Sequence, residues 1–171
     1  MWAVVFAIRG AYWATGGTVG LGTLSQGIRN AAAAGDPTLY AALWITVVLE
    51  VAGVVVALAL ARGAQPQLTR VALTLAGTGA GTMLVAHGAL FVGFGLVAVL
   101  NGQPVSSELR WYALLWEPWF LLGAALFLLA VRSFAEGGLR DPGITLGRTA
   151  GVLGGLATAA APFVVSALAG S

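Results

Sequence analysis

The chain has no cysteine and no lysine; all eight of its basic residues are arginine. Without cysteine there can be no disulfide, thiolate metal site or thiol nucleophile. Without lysine there is no amine to form a Schiff base with retinal or a pyridoxal cofactor. Charge of either sign is scarce, at 8% of 171 residues, against about 25% in an ordinary soluble domain. A surface that poor in charge cannot keep a globule of this size in water, so the chain's solvent is expected to be largely lipid. The net charge of +2 is small and dispersed, with no basic cluster of the kind that holds nucleic acid. One histidine and six scattered acids lack the paired helical spacing of metal ligands, so neither a metal nor another cofactor is expected.

Apolar residues make up 59% of the sequence. A membrane-spanning helix needs about 20 of them in a row, and five stretches qualify: 2–24, 38–61, 72–99, 111–133 and 146–168. The N-terminal stretch has Arg9 inside its apolar run and no small-residue cleavage pattern, so it reads as a retained helix rather than a signal peptide. Turn chemistry separates the stretches. Asp36 and Pro37 suit an N-cap and first helical position. "RGAQPQLTR" is a short polar link, and "NGQPVSSELR" offers Ser106 or Ser107 as a cap. "EGGLRDPGIT" leads to the fifth stretch. Such short links imply antiparallel neighbours. The expectation is one all-α domain, a polytopic membrane helical bundle of about five transmembrane helices with up-down topology.

Arginine sets the expected orientation, because cytoplasmic loops retain positive charge. The 2–3 and 4–5 connections hold Arg62, Arg70, Arg132, Arg140 and Arg148; the 1–2 and 3–4 connections hold Arg29 and Arg110. That bias places the N-terminus in the cytoplasm and the C-terminus outside, in a bacterial inner membrane. Glycines four apart (Gly16 and Gly20, Gly77 and Gly81, Gly151 and Gly155) mark helix faces that allow close backbone approach in lipid. The same faces suit a homo-oligomer.

A charge at membrane depth is costly, so it usually faces the interior and has a purpose. Glu50, His87 and Glu117 fall at such depths on consecutive stretches and are the candidate catalytic groups. Arg9 lies near a helix end and is expected to snorkel toward headgroups. Aromatic residues accompany the acids. Phe91 lies on the side of His87; Tyr112, Trp116 and Trp119 form a stripe on the fourth stretch; Tyr12 and Trp13 sit in the first and Trp44 in the second. These are the candidate substrate-binding residues, although Trp44 and Trp116 also suit interfacial anchoring. In "LLWEPWFLLG", Pro118 lacks an N–H and deprives the Leu114 carbonyl of its donor, opening the turn beside Glu117. Two readings of Glu117 stand: half of an inward-facing site, or the N-cap of a helix that starts late.

"YWATGGTVGL" (12–21) and "LWEPWFLLGAALFLLA" (115–130) together resemble a group of short bacterial membrane proteins catalogued only as a domain of unknown function. The resemblance covers about the first four stretches and implies a compact bundle without assigning a chemistry. Ala11 and Tyr12 stand where the group often carries a histidine, a departure that argues against any histidine-dependent activity. In plan, the chain is also similar to membrane sterol isomerases of the emopamil-binding type and to meroterpenoid cyclases, with buried acids and aromatic faces. An acid that keeps its proton in lipid can donate it to an alkene or epoxide while a second group takes one back, and indole faces stabilise the developing cation. The expected function is therefore binding or transformation of a hydrophobic small molecule among membrane lipids, as an isomerase or cyclase. The alternatives are a small proton- or cation-coupled transporter and a non-catalytic membrane partner.

Overall fold

The computed structural model describes residues 1–62, 65–102, 104–136 and 141–169, the last eight of these as backbone only. Within them every regular element is helical. The order is α1 (Trp2–Ala14), a 3-10 turn (Leu21–Thr23), α2 (Gln26–Ala33), α3 (Pro37–Ala61), α4 (Gln67–Leu100), α5 (Ser107–Trp111), a π segment (Tyr112–Trp116), α6 (Glu117–Ala135) and α7 (Pro142–Ala169). Among the described residues three helices are long and apolar enough to cross a membrane: Pro37–Ala61, Gln67–Leu100 and Ser107–Ala135. Their surfaces agree with that solvent. On α3, Ile45, Val48, Leu49, Val55 and Leu58 are all exposed, a pattern that water would penalise and hydrocarbon does not.

The expected first span, 2–24, is corrected. Its helix stops at Ala14 after 13 residues, about 20 Å of rise against a hydrocarbon core of about 30 Å. A left-handed glycine ends it. Gly16 has φ +92°, its N–H bonds the Trp13 carbonyl and the Gly17 N–H bonds the Tyr12 carbonyl. This is the Schellman closure, which only glycine adopts without strain. The Thr15 hydroxyl adds bonds to the Ala11 and Tyr12 carbonyls. Gly16 and Gly20, read above as one helix face, are both left-handed turn residues instead.

The other caps follow the sequence. Asp36 Oδ1 accepts from the Thr38 N–H at 2.8 Å, with Pro37 opening α3. Ser106 Oγ accepts from the Leu109 N–H at 3.1 Å. At α7, Asp141 Oδ1 accepts from the Gly143 N–H at 2.8 Å while Oδ2 accepts from the Gln67 amide. These donors, the Gln67 bond foremost, hold the Asp141 carboxyl below the usual range. The expected fifth span falls on α7, whose far side chains lie outside the described residues, as does Arg140 in the preceding connection.

Contacts divide the chain into two compact units, Met1–Val55 with Phe91–Trp116, and Val56–Leu90 with Glu117–Ser171. The first is organised by α1 against α3, with Phe6, Trp13, Leu24 and Val47 buried. In the second, α6 buries Ala124, Phe127, Val131 and Ala135 along one stripe. Val131 and Leu128 lie over Gly77 and Gly81 of α4, so closely that a Cβ on either glycine would come within 2.7 Å of them. Gly147, Gly151 and Gly155 of α7 press on the α4 backbone: an added Cβ would lie 2.9, 2.6 and 2.5 Å from the carbonyl oxygens of Val71, Leu75 and Gly79. The expected glycine faces at 77/81 and 151/155 are thus spent on packing within this unit.

Candidate functional site

Two groups of buried polar side chains stand out, one in each unit. In the first, Phe6, Arg9, Gly10 and Trp13 lie on one side of α1, at the three- and four-residue spacings that make helical neighbours. Arg9 Nη2 donates to Glu50 Oε1 at 3.3 Å. Its guanidinium carbon stands 3.7 Å from the centre of the Phe6 ring, 4.7 Å from Trp13 and 4.9 Å from Trp116, all within cation–π range. Gly10 makes this approach possible, since a Cβ there would fall 2.2 Å from Glu50 Oε2. Arg9 therefore turns inward to an acid, not outward to headgroups as expected from its position. Among the described residues, Arg9 Nε and Glu50 Oε2 are buried without a hydrogen-bond partner.

The indoles around this pair are tied in place. Trp13 Nε1 donates to the Val19 carbonyl at 2.8 Å, and Trp116 Nε1 donates to Thr23 Oγ1 at 3.1 Å. The two rings meet edge to face at 5.7 Å. Tyr12 holds the turn after α1: its hydroxyl accepts from the Val19 N–H, and Gly17 lies against its ring. Tyr112 stacks on Phe91 at 5.4 Å. Trp44 is exposed on α3.

The second group is His87 with Glu117. Glu117 is completely buried, with Oε1 3.7 Å from His87 Nε2, and neither carboxylate oxygen has a hydrogen-bond partner among the described residues. The His87 ring meets Phe120 edge to face at 4.8 Å and is itself partly exposed. Gly88, next to His87, lets α6 come close; an added Cβ would lie 2.9 Å from Leu121 and 3.3 Å from the Glu117 carbonyl oxygen.

The backbone around Glu117 decides between its two readings. The helix begins at Ser107, capped by Ser106, and runs to Ala135 through the π segment. Glu117 is therefore ten residues, about 15 Å of rise, inside a helix and is not its cap. The π segment directly precedes Glu117 and Pro118. In a π turn a carbonyl bonds five residues on instead of four, and Pro118, just past the segment, has no N–H to offer the Leu114 carbonyl.

Of the sequence candidates, the structure pairs Glu117 with His87 and Glu50 with Arg9. Trp13 and Trp116 join the Arg9–Glu50 group, and Phe91 joins Tyr112. Trp119 is partly buried in the first turn of α6. Phe6, Gly10 and Phe120 were not candidates, and Arg9 was expected at the headgroups. The spacing of Phe6, Arg9, Gly10 and Trp13 on one helix face was the available signal for the first group.

A family model described as "Protein of unknown function (DUF3995)" matches residues 3–127, well over half of the chain. No curated protein and no solved structure matches it.

Proposed function

The chain belongs to this family of unknown function, and from its buried polar groups we propose that it is an integral membrane protein that binds a hydrophobic small molecule and exchanges protons with it at His87 and Glu117. The observation that carries the reading is the fully buried Glu117, with Oε1 3.7 Å from His87 Nε2 and, among the described residues, no hydrogen bond to either oxygen. A structural carboxyl is normally held by donors; this one has a titratable partner beside it instead.

Such a pair suits alkene isomerisation. The Glu117 carboxyl delivers its proton to one alkene carbon, leaving a carboxylate and a carbocation. His87 takes a proton from the carbon on the other side of the cationic centre, and the new double bond forms from those C–H electrons. Transfer from imidazolium to carboxylate then restores both groups, so the cycle consumes no proton and needs no oxidant. The face of Phe120 would stabilise the cation. An isoprenoid, an apolar alkene that partitions into the bilayer, is the substrate class that fits. Glu50 has a different part in this reading: its partner is the permanent charge of Arg9, and the pair with its aromatic box joins α1 to α3.

The test follows hydrogen directly. Reconstituted protein incubated with a total membrane lipid extract in D2O should place deuterium in one lipid species, detected by mass spectrometry. Glu117→Gln and His87→Gln should each lower incorporation by about 100-fold or more, the usual worth of a general acid or base. Retained incorporation in Glu117→Gln, or none with the native chain, rejects the proposal.

A further inference from the structure

The first unit contains a cavity of about 220 Å³, set between the turn after α1, α2 and α3. Its wall is mainly apolar, with Trp13, Leu24, Ile28 and Leu43, and three polar side chains, Thr18, Arg29 and Tyr40, also line it. Pockets for drug-sized ligands run to about 300–1,000 Å³, so this one has room for a single chain and not for a two-chain phospholipid.

Arg29 supplies the charge. Its Nη1 donates to the carbonyls of Gly22 and Leu24, and its Nη2 to the side-chain oxygen of Gln26. All three acceptors are neutral, and they use three of the five guanidinium donors. Among the described residues no carboxylate lies within ion-pair distance of it. An apolar cavity for one chain is thus bordered by a cation fixed by its neighbours but not neutralised by them.

We infer that this cavity binds the chain of a single-chain amphiphile whose anionic head pairs with Arg29. The charged head would make charge-assisted hydrogen bonds to the remaining donors, while the chain replaces lipid contacts against Leu24, Ile28 and Leu43. The site is formed by residues of Met1–Val55 alone, and the inference does not rest on proton exchange at His87 and Glu117.

The test is equilibrium binding of tritiated decanoate, decyl phosphate and decanol to the full chain in phosphatidylcholine nanodiscs. One or both anions should bind saturably at one site per chain, at least about tenfold more tightly than decanol, as expected for a hydrogen-bonded charge. Arg29→Gln should remove that preference, Arg29→Lys should keep it, and Leu43→Trp, which fills the cavity, should abolish saturable binding. The tighter anion identifies the head as carboxylate or phosphate. No saturable binding of either anion, decanol binding as tightly, or anion binding unchanged in Leu43→Trp overturns the inference.

Discussion

Gly10 shows how one absent side chain admits a charge. The Glu50 carboxylate occupies the space where a Cβ would stand, and from there it reaches Arg9 at 3.3 Å. Neither member is well solvated by the protein: Arg9 Nε and Glu50 Oε2 have no hydrogen bond among the described residues. The aromatic faces of Phe6, Trp13 and Trp116 compensate part of that loss by binding the guanidinium. In Gly10→Ala the new methyl group must displace Glu50, breaking the pair and leaving the Arg9 charge to the rings alone. The expected cost is about 1–3 kcal/mol, typical of overpacking, read as a lower unfolding temperature in detergent. Because Trp13 and Trp116 flank the pair, the same variant should change tryptophan fluorescence. Unchanged stability and emission would show that the pair contributes nothing to the fold.

At the scale of elements, the α4–α7 contact is a backbone seam. Gly147, Gly151 and Gly155 repeat every four residues and face Val71, Leu75 and Gly79, which repeat at the same interval. The match places Cα atoms against carbonyl oxygens, where dispersion and weak C–H···O contacts act over many atoms. Thr74, Thr78 and Thr82 stand along the same seam, and Thr74 and Thr78 are buried. Any side chain at Gly151 must push two helices apart, because its Cβ meets backbone, which cannot rotate away. Gly151→Val should therefore destabilise the protein by at least about 1–3 kcal/mol, whereas Gly154→Val, where an added Cβ meets nothing, should be nearly neutral. Unfolding in a graded denaturant series compares the two. The π segment is the other decisive element. It directly precedes Pro118 and the buried Glu117, which lies ten residues past the helix start.

For the whole molecule, the lack of cysteine makes sidedness directly measurable, since any introduced thiol is the only one. The arginine distribution favours a cytoplasmic position for the link after α3 and an external one for the links before α3 and after α4. Single substitutions Asn30→Cys and Asn101→Cys should react with a membrane-impermeant maleimide in intact cells. Gln65→Cys should react only after permeabilisation. Labelling of all three from one side would mean that α3 and α4 do not cross.

The scarcity of charge together with the long unbroken apolar runs determined the all-helical class, because runs of about 20 apolar residues suit helices that satisfy their own backbone rather than alternating strands. Local chemistry likewise announced the caps at Asp36 and Ser106 and the ends of α3 and α4, because those contacts lie within a few residues. The first stretch misled because Gly16 and Gly17 lie in an otherwise apolar run, and periodicity does not register a left-handed turn. Which way each buried charge faces was not legible. Helix rotation is settled by partners 30 to 41 residues away, as Gly10 and Arg9 settle Glu50, and His87 meets Glu117. Only tertiary packing decided that Arg9 turns inward, that Glu117 meets His87, and that the glycine faces are used within the chain, since each depends on what stands opposite it.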